Sequence, residues 1–343
     1  MNIALSVILI LWVIAIVIFL FVKKVPHGWI QFRSGLVLRF LPALDTAPVV
    51  PLRHSIEAFI QKKLPGIRRS LPVSDVKDIE VPTRHGAIGA RVFEGSSPGG
   101  GPLVVLMHGG GWCIGSLNTY EEMSRRLVRA SGLTLISLDY SLSPEHKFPR
   151  AHEECVDAVS WLIDHQHSIA KGSAGLALVG DSAGGNLIVA TTYSSTDEVR
   201  AQIKKMVAVY PAVDGLKNDY PSNVDYAKGY YLTGKAMAQF TEGLVRTEED
   251  LKDPRLSPLY NDTLTSYPDT FVITAEFDPL RDQGEAFASK LFKEGHDVRL
   301  KRYDGTIHAF YGLKDFGSRG VEAIRDSASF ILGQPVSGIR DLE

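Results

Sequence analysis

Short, continuously apolar runs at residues 88–93, 103–107, 133–138, 176–179, 203–209, 271–274 and 298–303 alternate with stretches whose apolar side chains recur at helical spacing. A strand with one wet face alternates apolar and polar residues, so continuous runs belong to strands covered on both faces. From residue 76 to 335 the pattern therefore predicts an α/β fold, a mostly parallel sheet with helices on both sides. One helix is expected to open at the capping-box pair Thr119 and Glu122 and to close at Gly132. Another, near 151–165, places Cys155, Val159, Leu162 and Ile163 on one face. Residues 214–251 break the rhythm with tyrosines and charges and read as an insertion over the sheet.

Ahead of the sheet, Pro26, Pro42, Pro48, Pro51, Pro65 and Pro72 predict broken helices and loops. Leu52, Ile56, Phe59 and Ile60 nonetheless share one helical face, suited to packing on the main domain or lying along a membrane. Between residues 3 and 22 the only polar side chain is Ser6, which gives roughly 30 Å of apolar helix, enough to cross a bilayer. The run is too long for a signal peptide and ends at Lys23-Lys24 without a small-residue cleavage site. The expected organisation is a transmembrane anchor at 1–24, a membrane-proximal cap segment at 25–75 and a main domain at 76–335. Lys23, Lys24, Arg33 and Arg39 follow the anchor and no basic side chain precedes it, which by the positive-inside rule places the main domain in the cytoplasm. The sequon Asn261-Asp262-Thr263 would be used only on the other side.

Composition narrows the chemistry. With 37 Lys+Arg against 39 Asp+Glu in 343 residues, the chain has no basic footprint, and a nucleic-acid partner is not expected. Two cysteines, Cys113 and Cys155, cannot build a disulfide framework and have neither zinc nor redox spacing. Gly229-Tyr-Tyr-Leu-Thr-Gly234-Lys235-Ala236 nearly spells a phosphate-binding loop, but Ala stands where Ser or Thr must hold magnesium. No metal and no cofactor is expected.

The apolar run at 176–179 leads into Gly180-Asp-Ser-Ala-Gly184 and then into a helical stretch, the strand, sharp turn and helix of a nucleophile elbow with Ser182 exposed at its tip. The pentapeptide alone is a weak signal; its context supplies the specificity. The run at 103–107 empties into His108-Gly-Gly-Gly111-Trp112, whose backbone N–H groups can face an oxyanion together with that of Ala183. Gly110 and Gly111 are the favoured donors, with Gly109 a further candidate. His108 precedes the serine and is expected to order the loop rather than act as base. In this type of sheet the chain order is Ser, acid, His. Asp278 and His308 both follow the C-terminal ends of later strands, where open α/β sheets place their sites. His308 is the expected general base and Asp278 its carboxylate partner, with Asp282 and Glu276 as competitors. Trp112, Tyr230 and Tyr231 are expected to close over Ser182 and bind substrate.

These motifs, with Asp139-Tyr-Ser-Leu-Ser-Pro-Glu-His-Lys-Phe-Pro149 and Asp278-Pro-Leu-Arg-Asp282, resemble the hormone-sensitive lipase family of α/β-hydrolases, which shares the Gly-Asp-x-Gly serine motif. Ser141 and Ser143 depart from the family's usual Arg and Ala. The resemblance implies an α/β-hydrolase fold with an eight-stranded sheet, a helical cap built from the N-terminal segment and residues 214–251, and cofactor-free hydrolysis of carboxylic esters. In having an N-terminal anchor the chain is similar to arylacetamide deacetylase and the neutral cholesterol ester hydrolases, which implies a single-pass protein of the endoplasmic reticulum membrane with a luminal domain, against the charge argument. The expected partners are a small-molecule or lipid ester and the membrane at residues 3–22; a homodimer is left open. An amidase or lactonase would use the same three side chains, and a ligand-binding receptor of the same fold would lack the histidine.

Overall fold

The computed structural model describes residues 48–342, apart from 98, 100, 218, 262–266 and 313–317, together with residues 12, 24–25 and 28–29. Lys24–Val25 and Gly28–Trp29 form a short antiparallel pair. The anchor expected at residues 3–22 lies outside the described residues, Trp12 apart. Among the described residues no helix is long and apolar enough to cross a membrane.

Eight strands form one sheet: β1 (Val76–Thr83), β2 (Gly86–Phe93), β3 (Leu103–Met107), β4 (Leu135–Asp139), β5 (Leu176–Asp181), β6 (Ile203–Val209), β7 (Asp269–Phe277) and β8 (Val298–Ile307). Their spatial order is β8-β7-β6-β5-β3-β4-β2-β1. Only the pairings of β2 with β1 and with β4 are antiparallel. Every residue of β3 and β5 is buried, as their continuous apolar sequence requires of central strands.

Helices cover both faces. On one side α3 (Arg150–Ile169), α4 (Ala183–Ser194) and α8 (Arg281–Lys293) bury Cys155, Val159, Leu162, Leu187 and Phe287 against the sheet. On the other, α2 (Glu121–Ser131) and α9 (Ser318–Ile331) bury Leu127, Val128, Ile324 and Phe330. Each such side chain contributes about 2 kcal/mol on leaving water, so packing on both faces holds the central strands that carry the site.

Three expectations need correction. β1 was absent from the expected runs; it is an edge strand whose Lys77, Asp78 and Glu80 face water and whose Pro82 is tolerated only at an edge. The segment of broken helices contains one continuous helix, α1 (Val49–Ser70). Pro51 lies in its first turn, where the missing N–H is no loss, and Pro65 lies on its exposed side. The Thr119–Glu122 capping box does not form. Thr119 Oγ1 accepts from Ser116 N at 2.8 Å, Glu122 pairs with Arg126 one turn on, and the helix starts at Glu121, although Gly132 does close it, its N–H on Val128 O.

A short helix, α5 (Asp197–Gln202), precedes β6; above the C-terminal ends of the strands stand α1 and the segment between β6 and β7, which contains α6 (Pro221–Asp225) and α7 (Gly234–Leu244). Leu52 and Ile56 of α1 pack with Leu232, Ala236 and Phe240 of that segment. The near phosphate-loop sequence runs into the start of α7, where Thr233 Oγ1 accepts from Ala236 N as the cap.

Candidate active site

Ser182 sits between β5 and α4 at φ 56° and ψ −118°, a backbone conformation that side-chain-bearing residues rarely adopt. The turn is held because its glycines approach backbone too closely for any Cβ. An added Cβ would lie 2.2 Å from Gly184 O at Gly180, and 2.0 Å from Met107 O at Gly184. The sharp turn lifts Ser182 Oγ above the sheet, where His308 Nε2 lies at 3.0 Å.

His308 follows β8 directly and is buried, as is Asp278 just past β7. His308 Nδ1 is 2.7 Å from Asp278 Oδ2, and Asp278 Oδ1 accepts from Leu280 N at 2.8 Å. The carboxylate thus has both oxygens occupied and fixes the imidazole with its Nδ1–H inward, leaving Nε2 free to accept from the serine. Tyr210, unforeseen from the sequence, packs its ring 4.5 Å from that of His308. The two competing acids are engaged elsewhere. Glu276 accepts from Gly305 N, and Asp282 accepts from Ser222 N and pairs with Arg281.

The glycine loop after β3 runs beside the serine. Gly109 is the correction here: its N–H donates to Tyr120 Oη and to Asp181 Oδ1, both at 2.9 Å, and so is not available to an oxyanion. The N–H groups of Gly110, Gly111 and Ala183 have no acceptor among the described residues. Gly110 takes φ 119° and passes so close to Ile114 that an added Cβ would lie 2.1 Å from its carbonyl oxygen, so the loop needs glycine there. His108 is fully buried, with Nδ1 2.8 Å from Gly109 O and its ring stacked on Tyr140 at 4.2 Å. Burial pushes its pKa down to about 4, so it is a neutral support of the loop, and the histidine bonded to Ser182 is His308. Asp181 is held from the opposite side of the loop. Burial raises its carboxyl pKa, partly offset by hydrogen bonds from Tyr120, Gly109 and Tyr210.

A cavity of about 1030 Å³ opens over Ser182 and His308. Trp112 and Tyr231 line it, as do Ile56 and Ile60 of α1 and Met237 and Phe240 of α7. Tyr230 does not: it is buried against Tyr226 and Phe277. The five non-glycine residues with positive φ among the described residues are Trp112, Ser182, Tyr210, Tyr231 and Ala309. Four line the cavity and the fifth touches His308, so backbone strain is concentrated at this site. No three His, Cys, Asp or Glu side chains among the described residues gather to hold a metal ion.

The unusual Ser141 and Ser143 are both satisfied. Ser141 N and Oγ donate to Glu154, which also binds Arg150, and Ser143 Oγ donates to His146 O. Asn261 of the sequon is buried.

A buried acid and histidine in line with a half-buried serine at the C-terminal edge of this sheet define a serine hydrolase of the α/β-hydrolase type. The model of the α/β-hydrolase fold matches residues 104–312, and the chain belongs to that family. It is 34% identical to an arylesterase of Saccharolobus solfataricus over 76% of this chain and 84% of that enzyme. It is 31% identical to an ethyl acetate hydrolase of Pseudomonas putida, over 68% of this chain and 75% of that enzyme. A solved esterase of Pyrobaculum calidifontis superposes with a TM-score of 0.81 at 34% identity, covering 88% of this chain and 98% of that one. Fold, site and family together make the protein a serine-type ester hydrolase.

Proposed function

We propose that the protein is a carboxylesterase or deacetylase of the hormone-sensitive lipase branch, tethered to a membrane by residues 3–22, that cleaves esters of small or lipophilic substrates through an acyl-enzyme. The observation that carries this reading is the unbroken contact from Asp278 through His308 to Ser182, set beside N–H groups that have no acceptor among the described residues. Ser182 Oγ attacks the ester carbonyl while His308 Nε2 takes its proton; Asp278 accepts from Nδ1–H and stabilises the imidazolium. The tetrahedral oxyanion is received by Gly110, Gly111 and Ala183, each N–H contributing about 3 kcal/mol. His308 then protonates the leaving alkoxide as the C–O bond breaks, and water attacks the acyl-serine with the same base. Residues 76–335 form the catalytic domain in this reading, and residues 25–75 with 214–251 its cap. The size and apolar walls of the cavity support a lipophilic ester.

Hydrolysis of a chain-length series of nitrophenyl esters by the detergent-solubilised chain tests the reading, alongside Ser182→Ala. Activity that vanishes in the variant is expected. Folded protein inactive on every chain length would sink the esterase assignment.

A further inference from the structure

The outward face of α1 is left unused by the ester chemistry. Ala58, Phe59, Lys62, Lys63, Gly66 and Arg69 share it at helical spacing, and all are exposed, Phe59 by 56%. Lys63 Nζ sits 4.3 Å over the Phe59 ring. The helix has a single acid, Glu57, and it is turned inward, accepting from Ser116 Oγ and Asn118 Nδ2. Arg53 and Arg68 are likewise drawn inward, by Glu145 and Glu121. Lys62, Lys63 and Arg69 form no ion pair among the described residues, so the outward face is uniformly basic around one exposed aromatic ring. The inward side of the same helix supplies Ile56 and Ile60 to the cavity wall, and Phe59, expected from the sequence to share their face, is turned out to water instead. Only residues 23–48 separate α1 from the apolar run, and their charges are Lys23, Lys24, Arg33 and Arg39 against Asp45.

We propose that this face of α1 docks on an anionic lipid bilayer. Lys62, Lys63 and Arg69 meet the headgroups and Phe59 enters the interface, where an aromatic ring beside basic side chains is favoured. Docking would set one wall of the ester cavity against the lipid that delivers its substrate. The proposal rests on the anchor reading only for the tether that keeps α1 near the surface.

Ala58→Cys in the full chain, carrying an environment-sensitive fluorophore, reports docking directly, because Cys113 and Cys155 are both buried. The labelled protein is reconstituted in vesicles of phosphatidylcholine with and without phosphatidylserine, and flotation shows which vesicles hold it. Expected are a blue shift only with phosphatidylserine, its reversal by high salt, and its loss in Lys62→Glu/Lys63→Glu/Arg69→Glu. Each basic residue near an anionic leaflet shifts docking about fivefold, so losing three should weaken it on the order of 100-fold, and reversing their charge in the triple variant by more than that. Lys62→Arg/Lys63→Arg should dock like the parent. Equal emission in both lipids, or a charge-reversed variant that docks as well as the parent, would overturn the proposal. Hydrolysis of a soluble acetate ester in detergent should be unchanged in that variant, which shows it is folded. A parent inactive on every ester would count against the esterase reading alone, and a parent that fails to float with neutral vesicles against the anchor alone.

Discussion

Ser182 is held in its strained conformation by what surrounds it. Gly180 and Gly184 let two strands and a helix converge on the turn, and a methyl group at either would overlap a carbonyl oxygen. Gly184→Ala is therefore expected to lower the melting temperature by several degrees or to prevent folding, as thermal denaturation followed by circular dichroism would show; an unchanged transition would contradict the close approach. Asp278→Asn should present the wrong imidazole tautomer and lower kcat by about 10⁴, whereas Glu276→Gln and Asp282→Asn should stay within about tenfold. Steady-state rates on one activated ester distinguish the three. Ser182, Asp278 and His308 were legible because each follows the end of an apolar run in the required order. Gly109 stays a further candidate beside the favoured Gly110 and Gly111 on spacing alone, and only the folded loop shows its N–H turned to Asp181 and Tyr120. Tyr210 and Ala309 gave no signal: a positive φ at a tyrosine or alanine is imposed by tertiary packing and leaves no mark on composition.

At the scale of elements, α1 is joined to the sheet through Glu121, whose fully buried carboxylate receives Arg68, Arg91 and Arg125. Burial acts to raise its pKa, but the hydrogen bonds and charges of those arginines outweigh it and hold the carboxyl below its usual value. A depressed carboxyl stabilises the fold above the unfolded pKa, about 4.3, and that stability is lost as pH falls through the lower folded value. Glu121→Gln should cost about 3 kcal/mol near neutral pH by taking from Arg125 and Arg68 their carboxylate partner, Arg91 keeping Asp78, and its stability should fall less than the parent's between about pH 6 and about pH 3. Urea titrations across that range measure both effects. The inner face of α1 also sets the cavity, so Ile56→Trp should lower kcat/KM for a decanoyl ester roughly tenfold more than for an acetyl ester. Of these elements the buried strands were plain in the sequence. The edge strand β1 and the continuity of α1 were not, since water-facing charges mask a strand period and prolines at tolerated positions look like breaks.

For the molecule as a whole, a hydrolase domain with its cavity lined by α1 and α7 follows an apolar segment at residues 3–22 that the proposed function reads as an anchor. Burial of Asn261 leaves its side chain closed to a glycan in the folded protein, which removes the sequon as an argument about orientation. If residues 3–22 span a bilayer, alkaline carbonate should leave the full chain in the membrane pellet, and a chain lacking residues 1–24 should be released; release of both would contradict the anchor. The central claim is that Ser182 is the nucleophile of an ester hydrolase. The most direct measurement is reaction of the detergent-solubilised protein with an active-site phosphonate, followed by mass mapping of the modified peptide and a parallel assay of ester hydrolysis. Expected is one phosphonyl adduct per chain, on Ser182, formed in step with loss of activity and absent from Ser182→Ala. Labelling at another residue, or activity that survives full modification of Ser182, would contradict it.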